Sequence, residues 1–97
     1  MEQEPLAKVP GMIYIKANRS YSGSHQGMRW RVFIEEDRFH AVVWPQPWNE
    51  AHTDEALKTR ADFPLDEQGL HAAEQWIGEQ YTAQLPRWKQ AELTPTF

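Results

Sequence analysis

The chain has 97 residues, 40% of them hydrophobic and 25% charged, with a formal charge of −4 and no cysteine. That length supports one domain with a modest core and leaves no room for a second. The missing cysteines exclude disulfides, thiolate metal sites and cysteine nucleophiles. The acidic balance sets aside attraction of the whole molecule to nucleic acid or anionic lipid unless charge is segregated by face.

Met1 to Pro10 contains two prolines and two glutamates without periodicity and reads as a loosely held lead-in, residues 1–10. It has no basic start followed by an apolar run, so no secretory signal is expected. No apolar run approaches the roughly 18–20 residues of a membrane span, and the expectation is a soluble, cytoplasmic protein without membrane contact. Met12 to Ala17 alternates Ile13, Ile15 and Ala17 with Met12, Tyr14 and Lys16, which predicts a first strand. Asn18 to Gly27 holds three serines and two glycines and reads as a loop.

Met28 to Glu35 carries the cleanest period of two in the chain, with Met28, Trp30, Val32 and Ile34 on one side and Arg29, Arg31, Phe33 and Glu35 on the other. Glu36, Asp37 and Arg38 form the turn, and Phe39 to Trp44 is the return strand. Both alternating sets of that strand are largely apolar, so periodicity leaves open which set faces the core. Pro45 to Asp54 is irregular because two prolines remove ladder donors. Ala56 to Phe63 fits a short helix, with Thr53, Asp54 and Glu55 at its start, or a strand; the alternation of Leu57, Thr59, Ala61 and Phe63 favours the strand. Asp66 is an N-cap, Leu65 and Leu70 form a hydrophobic staple, and Leu70, Ala73, Ile77 and Tyr81 make one helical stripe. Pro86 ends or kinks that helix, and residues 86–97 form a tail holding Trp88 and Phe97.

The expected fold is therefore α+β: a three- to four-stranded, mostly antiparallel sheet over a folded core of residues 12–85, with one C-terminal helix on one face. With the run Trp30-Arg31-Val32 and the late helix segment Ala72-Ala73-Glu74-Gln75-Trp76-Ile77, the pattern resembles small bacterial stand-alone domains of uncharacterised function. In element order only it is similar to the three-strand-plus-helix DNA-binding domains of integrases and AP2-like proteins. Neither resemblance implies particular functional residues.

Catalytic spacing is scarce. Ser20, Ser22 and Ser24 lie beside His25, but a flexible loop holds a nucleophile and base poorly. His25, His40, His52 and His71 have no paired metal-ligand spacing, although His52 and Asp54 stand close in sequence. Glu35, Glu36 and Asp37 are consecutive in a turn, where solubility explains them. Gly23 and Gly27 do not form a phosphate-binding loop. No catalytic residue, metal or cofactor is expected.

Two surfaces remain. If the helix covers Trp30, Val32 and Ile34, the opposite face presents Tyr14, Lys16, Arg29, Arg31, Phe33, Lys58 and Arg60, half of the ten lysines and arginines among them. Interleaved cations and aromatics suit nucleic-acid binding, whereas exposed strands also carry such cations with no ligand at all. The second surface is aromatic: Trp44, Trp48 and Trp88 either anchor a protein interface or fold back onto the core. The favoured expectation is a non-catalytic protein-interaction module, using an open sheet face, a sheet edge or an aromatic segment, with a protein partner or a second copy of itself. The alternative is a nucleic-acid-binding domain.

Overall fold

The computed structural model describes residues 6–46 and 50–93. The cleanest periodicity becomes the centre of the fold. β2 (Met28–Glu35) buries Met28, Trp30, Val32 and Ile34, and pairs antiparallel with β3 (Arg38–Pro45) through the two-residue turn Glu36-Asp37. Both turn residues have positive φ, 54° and 60°, as a type I′ loop requires. The twist of the flanking strands selects that loop even though neither residue is the glycine or asparagine that adopts it at least cost.

Among the described residues the sheet has four antiparallel strands in the order β1-β2-β3-β4. β1 (Ser20–His25) occupies the stretch expected to be a loop. Local serine and glycine chemistry yields there to a ladder: Gln26 and Gly27, both with positive φ, turn the chain, and Gly23 lands opposite Trp30. The Trp30 indole lies across that glycine, where an added Cβ would stand 2.5 Å from a ring carbon. β4 (Thr59–Phe63) settles the ambiguous segment as both alternatives in sequence, a single 3-10 turn at Glu55–Leu57 capped by Asp54, then a strand.

The predicted strand at 12–17 is instead α1 (Met12–Asn18). Six residues sample a period of two and a period of 3.6 almost equally well. The pair that matters is Met12 and Ile15, three apart and buried, while Ile13 is 89% exposed. Arg19 closes the helix in a left-handed conformation, its N–H bonding the Ile15 carbonyl at 2.7 Å. The described part of the lead-in, residues 6–10, is held: Ala7 and Val9 are buried, and the Val9 N–H donates to the buried Glu74 carboxylate at 2.6 Å.

At the other end there are two helices rather than one. α2 (Glu67–Ala83) starts at Asp66, whose side chain accepts the Gly69 N–H at 2.7 Å. α3 (Leu85–Leu93) stands where the tail was expected, with Pro86 in its first turn, and Phe97 lies outside the described residues. A proline that cannot continue one helix is well placed to begin the next. Trp88 is fully buried and donates its indole N–H to the Gln80 carbonyl, so this ring belongs to the core and not to an interface. The core cluster joins Met12 and Ile15 of α1, Leu70, Ala73 and Ile77 of α2 and Trp88 of α3 to Trp30, Val32, Ile34, Phe39, Ala41 and Val43 of the sheet. All three helices thus cover one face.

Candidate binding site on the open sheet face

Alternation along the strands and the registers between them arrange the opposite face in three transverse rows. Ser24, Arg29 and Trp44 form the first, Ser22, Arg31, Val42 and Arg60 the second, and Ser20, Phe33, His40 and Asp62 the third. This decides the question left open for β3: Phe39, Ala41 and Val43 face the helices, while His40, Val42 and Trp44 face away.

Of the residues expected on this face, the structure brings together Arg29, Arg31, Phe33, Lys58 and Arg60. Tyr14 and Lys16 do not join them. Both belong to α1 on the helix side, where the Tyr14 ring meets Tyr21 edge-on at 5.8 Å. Residues 12–17 are helix and not strand, so their side chains never join the sheet face. Trp44 is on the face but 4% exposed, so it is a wall and not a shelf, and Trp48 lies outside the described residues.

The cations are not simply arrayed. Arg31 donates to Glu50 at 2.9 Å and lies over the Phe33 ring, 4.5 Å from its centroid. Phe33 stacks in turn on His40, centroids 5.0 Å apart and planes 18° from parallel. His40 has Asp62 at 2.9 Å from Nδ1 and the Glu35 carbonyl at 3.1 Å from Nε2. Both partners accept, so the doubly protonated ring donates to each while either neutral tautomer donates to one. Glu55 receives Lys58 at 3.0 Å and Arg60 at 2.9 Å. The hydrogen bond from Lys58, then that from Arg60, holds the Glu55 carboxyl below its ordinary value. Arg29 differs from the rest: it pairs with no carboxylate among the described residues, and its Nε is buried without a hydrogen-bond partner.

Between these side chains is an open cleft of about 660 Å³, walled by Ser22, Ser24, Arg29, Arg31, Trp44, Glu50 and Lys58. Local pattern places neither Ser22 and Ser24 nor Glu50 on this face, because the first two lie in an expected loop and the third in an irregular stretch. Only the register between β1 and β2 and the 3-10 turn at Glu50–His52 bring them here.

The serine and histidine neighbours of β1 separate: Ser20, Ser22 and Ser24 face the open side, while His25 packs edge-on against Tyr81 of α2 at 4.8 Å. Among the described residues, no group of three or more histidines and carboxylates is placed to hold a metal ion, and no helix is long and apolar enough to cross a membrane. No protein-family model, curated protein or solved structure matches the chain.

Proposed function

We propose that the chain is a non-catalytic protein-interaction module that binds its partner across the open sheet face. The observation that carries this reading is the one-sided layering: three helices and the core cluster occupy one face, and the other presents a cleft with an aromatic wall and fixed polar groups. Concave surfaces of mixed apolar and charged character are where proteins hold a ligand or partner group.

Two details favour a protein over a nucleic acid. Glu50 and Glu55 stand among the cations, where a phosphate backbone would meet them as like charges. Phe33 is already engaged by Arg31 and His40, so stacking a base on it would break existing contacts.

A photo-reactive amino acid at Ser22 on the open face, and another at the exposed Gln75 of α2 as control, test the reading in lysate of the source cells. The expected result is a discrete protein adduct from position 22 and none from position 75. Adducts from position 75 alone, no adduct from either, or an adduct removed by nuclease would each overturn it, the last in favour of nucleic acid.

A further inference from the structure

The partner's chemistry can be read from the charges that the cleft leaves unanswered. Arg29, Arg31, Lys58 and Arg60 bring four positive charges to this corner, and Glu50 and Glu55 bring two negative ones, an excess of two on a chain whose formal charge is −4. Three of the four cations already hold a carboxylate. Among the described residues Arg29 holds none, and its Nε–H is removed from water with no hydrogen-bond partner. Such a donor is costly to leave unmade, and a guanidinium is a fixed fork that matches the two oxygens of a carboxylate.

The strand beside Arg29 has a second property. β1 is an edge of the sheet, and no described segment pairs with its outer side. The opposite edge, β4, is guarded by the charged side chains of Arg60 and Asp62 and stops at Pro64. β1 reads Ser-Tyr-Ser-Gly-Ser-His, without proline, lysine, arginine or acid, and so lacks the devices that protect an exposed edge from strand addition. A strand added there would lie two strand spacings from β2, about 10 Å, a gap that an arginine and a glutamate side chain span together.

We infer that β1 receives an extended acidic peptide segment of a partner protein as a fifth strand, with one of its carboxylates held by Arg29 in the cleft. The inference rests on the interaction reading above and supplies the class of partner. Pairing of two copies through β1 fits less well, because it would bring two clefts of like charge toward each other.

The test is a titration of the isotopically labelled full chain with an octapeptide alternating glutamate and valine, followed by NMR. Shifts and slowed amide exchange are expected at residues 21–25, together with a shift of the Arg29 Nε–H resonance. Replacing the glutamates with glutamine, or making Arg29→Gln, is expected to weaken binding by about tenfold or more. N-methylation of one alternate set of peptide nitrogens should abolish binding while methylation of the other set leaves it, as strand addition requires. An unmoved Arg29 Nε–H, equal binding by the glutamine peptide, or indifference to both methylation patterns would overturn the inference. So would a response only to a thymidine decanucleotide or to inorganic phosphate. If the peptide fails while position 22 still cross-links to protein, the acidic strand is wrong and the interaction module stands; if both fail, both fall.

Discussion

On the helix side of the sheet, Trp30, Val32, Ile34, Phe39, Ala41 and Val43 meet side chains from α1, α2 and α3; on the other side the same strands hold Arg29, Arg31, Phe33, His40 and Trp44, with the turn at Glu50–His52 beside them among the described residues. The first face is held by apolar area and close packing, which is strong and insensitive to salt. The second is held largely by ion pairs at or near the surface, each of which contributes little and weakens as salt rises. Stability therefore resides largely on the helix-covered face, and the other contributes less of it.

Substitutions on each face test that division. Trp88→Ala empties the largest fully buried site on the helix side and should cost about 3–5 kcal/mol. Denaturant unfolding measures the loss, and an unchanged midpoint would show that α3 is not part of the stabilising layer. Gly23→Ala pushes a Cβ into the buried Trp30 ring and should cost about 1–3 kcal/mol. A neutral result would mean that the indole does not lie across β1. Asp37→Gly relieves a left-handed residue in a turn that belongs to neither face. It should raise stability by about 0.5–1 kcal/mol, visible as a higher Tm, with no effect on peptide binding.

The smallest effect belongs to the open face. The Glu55 carboxyl is held below its ordinary value of 4.5 by Lys58 and Arg60. A depressed folded pKa means that the stabilisation is complete above 4.5 and is lost as pH falls through the lowered folded value. Glu55→Gln should therefore lower stability slightly at neutral pH, more at low salt than at high salt, and flatten the acid limb of the stability profile. The same loss at every salt concentration would mean that Glu55 acts through packing rather than charge. Arg29→Gln complements these variants: it removes a cation with no carboxylate partner among the described residues, so its main effect should be on binding and not on the unfolding midpoint.

Where one periodicity dominated, the sequence alone determined the structure. Eight residues of strict alternation in β2 left no competing pattern, and the burial of Met28, Trp30, Val32 and Ile34 follows from it. The Asp66 cap and the stripe of Leu70, Ala73 and Ile77 likewise specified α2, and five of the seven residues expected on the basic face, Arg29, Arg31, Phe33, Lys58 and Arg60, are there. Tertiary structure decided the segments too short or too mixed to choose for themselves. Met12–Asn18 fits strand and helix alike, and becomes a helix because Met12 and Ile15 reach the core together. Ser20–His25 has turn chemistry throughout, and becomes a strand because β2 offers it a ladder and Trp30 a ring to lie against. The cleft belongs wholly to this second class. Its serines, its arginines and Glu50 come from three separate stretches of chain, and no local pattern records a meeting that depends on strand register and on how the chain after β3 folds back.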